Sequence, residues 1–175
     1  FGLLLTLNDA NGDGFLTEFI VGEGIRGIGN YLRNDGLTNC ASPLTATSSA
    51  HTCGLRPTAY TTLLSINPYT YKDVNNMAVP HGVGFLWCTM LWEMTWKLIN
   101  QYGFEPDIYD VNSTKGNVLA LKLVMEGIKM TPCGTTQLDF IQMRDAILAA
   151  DTAMYNGANS SLIWEAFAKR GLGVS

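Results

Sequence analysis

Positive charge is scarce in this sequence: 11 Lys plus Arg stand against 15 Asp plus Glu, a formal net charge of -4, and the basic residues are scattered. Without a basic cluster there is no electrostatic footprint for a phosphate backbone, which excludes nucleic acid as a partner. Histidine is scarcer still. The only two, His51 and His81, cannot build a catalytic zinc centre, which needs three protein ligands and an open fourth position. The four cysteines, Cys40, Cys53, Cys88 and Cys133, are not in metal-ligand spacing either. A long unbroken apolar run is also missing. Residues 82–99 come closest to a membrane span, but Thr89, Glu93 and Lys97 interrupt them at every fourth position, so no membrane partner is expected. The opening "FGLLLTLND" has no initiator Met, basic n-region or small-residue cleavage site, and reads as an interior segment rather than a whole signal peptide.

What is present suffices for a core: 47% of the 175 residues are hydrophobic, enough for one ordinary domain or part of a larger one. Residues 1–33 are apolar and glycine-rich, with Phe1 to Leu7 finishing a helix and "GEGIRGIGNYLRN" forming a short one. Asn34 to Pro80 is rich in Thr, Ser, Asn and Pro without sustained periodicity. Structureless loops become unusual beyond about 12–15 residues, and such loops are usually functional.

After Pro80 the pattern becomes helical. Gly82 to about Tyr102 is apolar on nearly every side, leaving a narrow stripe of Thr89, Glu93 and Lys97 with Glu93 and Lys97 paired at i,i+4. Asn117 to Met130 places Leu121, Val124, Met125 and Ile128 on one face. Thr136 with Asp139 has the form of a capping box, opening a helix striped by Phe140, Met143, Ile147, Ala150 and Met154. A last helix starts at a Ser cap and ends with Lys169 and Arg170 before Gly171. The expectation is an all-α multi-helix bundle over 81–175, preceded by a long irregular loop region over 1–80.

"DANGDGFLTEF" begins like a calcium loop, with Asp9, Asn11 and Asp13 at alternate positions and Gly14 at the sharp turn. Its twelfth position is Ile20 where a bidentate Glu belongs, although Glu18 or Glu23 could substitute, and an Asx/Gly turn explains the same letters. Cys40 and Cys53 bracket a Ser/Thr-rich loop; a disulfide between them would contribute about 3 kcal/mol and imply an oxidising compartment, with two free thiols as the alternative. The tryptophans at 87, 92 and 96 read as core packing. Sequons at Asn112 and Asn159 are common by chance, and would mean little in a bacterial protein. His81 by itself is more often a helix-opening residue than a catalytic one. Its place, after a long loop and at a helix start, nevertheless suits a neutral ring donating a hydrogen bond. His51, inside the Ser/Thr loop, reads as solvated.

From "GLRP" at 54 onward the chain resembles the fungalysin family of zinc metallopeptidases. The resemblance rests on "SINPYTYKDVNN" at 65–76, "PHGVGFLWCTMLWEMTW" at 80–96, "YGFEPDIY" at 102–109, "GNVLALKLVMEGIKMTPC" at 116–133, "RDAILAAD" at 144–151 and "LIWEAFAKRGLG" at 162–173. "FGLLLT" is similar to the segment following that family's third zinc ligand.

The resemblance implies a thermolysin-like fold, of which this would be the C-terminal helical part. It further implies a secreted endopeptidase acting on proteins or peptides, with zinc as cofactor. The His-Glu-x-x-His helix and the ligand Glu would lie upstream of Phe1, in the N-terminal half of the catalytic domain, which becomes the chain's partner; the 175 residues alone would be inactive. By the same resemblance His81 would hydrogen-bond the oxyanion as metal-activated water attacks, and Arg56 would bind the carbonyl of the residue after the cut. Leu55 would line that residue's pocket, and Asn76 would stand where relatives place an acidic partner of the histidine. Relatives often pair the cysteine of the "PC" turn with one near the last helix, where this chain has Ser161, which leaves Cys133 without that partner. The alternative is a non-catalytic helical interaction module or degenerate homologue.

Overall fold

A computed structural model of the chain describes residues 56–58, 60–131 and 139–173. Among these, a 3-10 helix over Tyr71–Asn76 precedes four α-helices: α1 (His81–Tyr102), α2 (Gly116–Met130), α3 (Phe140–Tyr155) and α4 (Ser160–Lys169). The all-α expectation for the helical part holds.

Helix α1 is the spine, because it has apolar side chains to bury on two sides. Leu86, Met90, Met94 and Leu98, four apart and therefore in one row, are fully buried against Leu119 and Leu123 of α2, Ile147 of α3 and Phe167 of α4. Phe85, Trp92, Trp96 and Ile99 form a second cluster with Tyr60 and Phe104. Trp92 and Trp96 are core residues, and Trp87 stacks on Phe167 with ring centroids 5.7 Å apart.

The stripe on α1 does not pair internally. Glu93, 1% exposed, takes its cations from the end of α4: Arg170 donates from Nε to Glu93 Oε1 at 2.7 Å and Lys169 donates to Oε2 at 2.9 Å. Lys97 reaches Glu165 of α4 at 2.6 Å. Arg170, 0% exposed, also donates to the backbone carbonyls of Thr61, Asn67 and Tyr69, so one guanidinium ties α1, the end of α4 and the segment before the 3-10 helix into one unit. Tertiary partners replaced the i,i+4 pair because burial makes an unpaired carboxylate far more costly than a solvated one.

Helix α2 buries only part of the face its large side chains suggest: Leu121 and Val124 pack against the core clusters. Val118, Leu119, Ala120, Leu123 and Gly127 face the core, while Met125 and Ile128 are each 49% exposed. Small residues set this orientation. A Cβ on Gly116 would lie 2.2 Å from the Leu98 carbonyl carbon, so α2 starts directly against the α1 backbone, and a Cβ on Gly127 would lie 3.1 Å from Ile147 of α3. The buried Asn117 amide completes the junction by exchanging two hydrogen bonds with the Glu105 backbone, at 2.8 and 2.9 Å.

Helix α3 is capped by Asp139 rather than Thr136, three residues later than the spacing suggests. Its capping box is Asp139 with Gln142, whose backbone amide donates to Asp139 Oδ1 at 2.7 Å. Thr136 lies outside the described residues. Ile147 and Ala150 are buried, but Met154 is 41% exposed at the end of the stripe. The turn into α4 passes through Asn156 at φ 54° and Gly157 at φ 76°. Asn159, rather than the expected Ser, is the N-cap of α4, and Ser160 is its first helical residue. The junction is held by buried Asp151, which accepts from the Asn159 backbone N–H at 2.9 Å, its Nδ2 at 2.6 Å and the Ser160 hydroxyl at 3.1 Å. Gly171, at φ 80°, ends the last turn as expected. No helix among the described residues is long and apolar enough to cross a membrane.

Candidate functional site

The approach to His81 is a short segment fixed at several points. Asn67, fully buried, donates to the Thr89 hydroxyl at 3.2 Å, tying the "INPY" turn to the middle of α1. Thr70 and Asp73 cap the 3-10 helix reciprocally, and the Tyr71 amide donates to the Arg170 carbonyl at 2.7 Å. The Val79–Pro80 peptide is cis. The Ala78 carbonyl accepts from the amides of Gly82 at 2.7 Å and Val83 at 3.3 Å, closing the entry to α1. A Cβ on Gly82 would meet the Met77 Cβ at 3.2 Å, so Met77 packs directly under this turn.

His81 is the first residue of α1 and is exposed, as are Val79 and Pro80 before it. Its ring makes no hydrogen bond among the described residues. The imidazole therefore faces outward, the orientation a ligand-contacting group needs and a core histidine would not have.

Arg56 sits against α1 through Tyr60 and Cys88. The Tyr60 side chain, 1% exposed, lies beside both the Cys88 thiol and Arg56. Cys88 is seven residues beyond His81, nearly two full turns, so both project from the same face of α1 about 10 Å apart along its axis. The buried Arg56 Nε has no hydrogen-bond partner. Asn76 ends the 3-10 helix; it is exposed, and its amide makes no hydrogen bond to the His81 ring. Leu55, His51, the cysteines at 40 and 53 and the calcium-like residues Asp9, Asn11, Asp13 and Glu18 lie outside the described residues.

Nothing in the residue pattern signals the Tyr60 and Cys88 contacts, because neither residue carries charge or motif spacing. Burial pushes the Tyr60 phenol far above its ordinary value, and the neighbouring thiol adds to this while Arg56 offsets part of it. Burial likewise raises the Cys88 thiol, against smaller lowering from Tyr60 and Arg56. Cys88 is a free thiol held neutral, a packing group rather than a nucleophile.

A pH effect follows from these two groups. Below the ordinary thiol value of 9.0 both states keep their protons, and the stability is fully present. As pH rises past 9.0 and then past the phenol's ordinary 10.0, the unfolded chain releases protons that the folded chain retains, and stability is lost. Denaturant midpoints are expected to fall through this alkaline window, and to fall less steeply in Cys88→Ala and Tyr60→Phe. An equally steep decline in both variants would count against the assignment.

The described residues hold no group of three or more His, Cys, Asp or Glu side chains that could bind a metal ion. They do form a pocket of about 270 Å³ further along α1, lined by Thr62, Glu93, Lys97, Asn100 and Lys169 among others. His81, Arg56 and Asn76 are not among its walls, and its charged groups are already paired with one another or with Glu165.

The sequence model described as Fungalysin metallopeptidase (M36) matches residues 32–175. Similar proteins include the extracellular metalloproteinase MEP of Neosartorya fischeri, 46% identical over 125 residues, covering 69% of this chain and 19% of that protein. Extracellular metalloproteinase 3 of Arthroderma otae is 46% identical over 124 residues, again 69% of this chain and 19% of that protein. Extracellular metalloproteinase 10 of Coccidioides posadasii is 41% identical over 147 residues, 82% of this chain and 23% of that protein. The chain thus spans about a fifth of the length of these relatives. With its helical architecture and this extent of matched sequence, the chain belongs to the fungalysin metallopeptidase family.

Proposed function

We propose that this chain is the helical, substrate-facing part of a secreted zinc endopeptidase that cleaves proteins or peptides. In this reading His81 donates an N–H to the scissile carbonyl oxygen as negative charge develops there. Arg56 donates to the carbonyl of the following residue, aligning the backbone beyond the cut, and Leu55 lines the pocket for that residue's side chain. Asn76, near the same helix start, contributes a polar contact for substrate rather than an orienting bond to the imidazole.

The observation that carries the reading is the exposure of His81 on the face of α1 against which Arg56 is held two turns away. Extracellular localisation is supported by the names of the similar proteins. A peptidase metal does not fit the described residues; in this reading the zinc is held by the N-terminal half of the catalytic domain. In the same reading Asp9, Asn11, Asp13 and Glu18 bind calcium.

The decisive experiment measures zinc content and casein hydrolysis side by side on the 175-residue chain and on its full-length parent. The parent is expected to hold zinc and cleave casein, and the isolated chain to do neither. A parent without casein hydrolysis would overturn the peptidase reading, and an active isolated chain would overturn the division of the site between two halves.

A further inference from the structure

The two sequons occupy opposite environments, and the difference selects one of them. Asn159 is 2% exposed; its Nδ2 donates to Asp151 at 2.6 Å inside the α3–α4 junction. A sugar on that nitrogen would have to enter the core and displace the buried carboxylate's partner. Asn112 is exposed, and its Nδ2 makes no hydrogen bond among the described residues. We propose that Asn112, and not Asn159, is an acceptor for an N-linked oligosaccharide.

The loop that carries Asn112 holds it outward on a fixed frame. Two successive turns, Asp107 to Asp110 and Asp110 to Ser113, are closed by backbone hydrogen bonds of 2.9 and 3.1 Å. The Asn112 backbone amide donates to Asp110 Oδ1 at 2.9 Å. Lys122 of α2 then donates to the carbonyls on both sides of Asn112, Val111 at 2.8 Å and Ser113 at 3.0 Å. Thr114, which completes the sequon, is exposed. Tyr109 and Val111, three and one positions earlier, are 71% and 75% exposed and offer uncovered apolar surface to the C–H face of a pyranose ring.

The co-reactant is a lipid diphosphate-linked oligosaccharide, used by the membrane-bound transferase of the eukaryotic secretory compartment. Asn112 Nδ2 attacks the anomeric carbon of the reducing-end N-acetylglucosamine. A carbon–nitrogen bond forms, the bond from that carbon to the diphosphate oxygen breaks, the lipid diphosphate leaves with the electron pair, and the amide proton passes to a base of the transferase. Transfer precedes folding, so the fold must accommodate its product. It does so at Asn112 and cannot at Asn159.

This proposal rests on the secretion reading above, and the test separates the two. The full-length protein is expressed in yeast twice, with its own leader and behind the host's signal peptide, and its peptides are read by mass spectrometry before and after peptide N-glycosidase. Behind the host signal, the Asn112 peptide is expected to carry a hexose and N-acetylhexosamine series. Enzyme treatment should then convert the Asn112 side chain to an aspartate, with Asn159 bare throughout. Asn112→Gln and, independently, Thr114→Ala should each remove the glycan, and Asn159→Gln should leave it unchanged. A bare Asn112 in protein that has passed through the secretory compartment, or a glycan at Asn159 in folded protein, overturns the proposal. Retention in the cell with the native leader, alongside glycosylated Asn112 behind the host signal, would refute secretion and uphold the acceptor site.

Discussion

Arg170→Met is expected to cost about 3–5 kcal/mol of stability, the range for removing one partner of a buried ion pair. Met fills most of the volume but leaves Glu93 Oε1 without a cation and three carbonyls, those of Thr61, Asn67 and Tyr69, without their donor. A domain is stable by only about 5–15 kcal/mol, so the loss would be a large fraction of the whole. The measurement is the urea midpoint at unchanged slope. The double variant Glu93→Leu with Arg170→Met removes both charges together and should recover part of the loss, although the carbonyls still lack the guanidinium's hydrogen bonds. Lys169→Met should cost no more than about 1 kcal/mol, because its ammonium is partly solvated. If Arg170→Met is as mild as Lys169→Met, the guanidinium is not the tie that its contacts imply.

If His81 acts as proposed, His81→Ala in the full-length protein is expected to lower kcat/KM by about 2.7–4 kcal/mol of transition-state stabilisation, roughly 100- to 1000-fold, with the loss in kcat rather than KM. The thermal midpoint should not move, since the ring is exposed and bonds to nothing among the described residues. His81→Gln retains an N–H donor on a smaller planar group and should recover part of the rate. Activity within a few-fold of the parent would leave His81 a helix-opening residue and favour an interaction module over a catalytic part.

The helices were legible wherever large apolar side chains dictate the period. The α1 boundary expected at Gly82 falls at His81, and its all-round apolarity is explained by two core clusters. The orientation of α2 was only partly legible, because its core face is built partly from Gly116, Ala120 and Gly127. Such residues score poorly in a hydropathy pattern yet allow the closest backbone approach, and they left Met125 and Ile128 outside. Spacing pairs Glu93 with Lys97 because it shows only neighbours on one helix, whereas the partners of Glu93 come from the end of α4. Of the candidate site, the proposal for His81 and Arg56 rests on resemblance, while the proximity of Arg56 to Tyr60 and Cys88 exists only once the chain is folded. The separation of Asn76 from the imidazole is likewise a matter of backbone path.

The Glu93–Arg170 contact spans 77 residues of sequence. A ribosome releases the carboxylate well before the guanidinium, so the growing polypeptide cannot close its interior around Glu93 until synthesis has passed Arg170. Nascent chains arrested short of that point would hold an unneutralised anion among hydrocarbon side chains, and would be natural clients for chaperones and quality-control proteases.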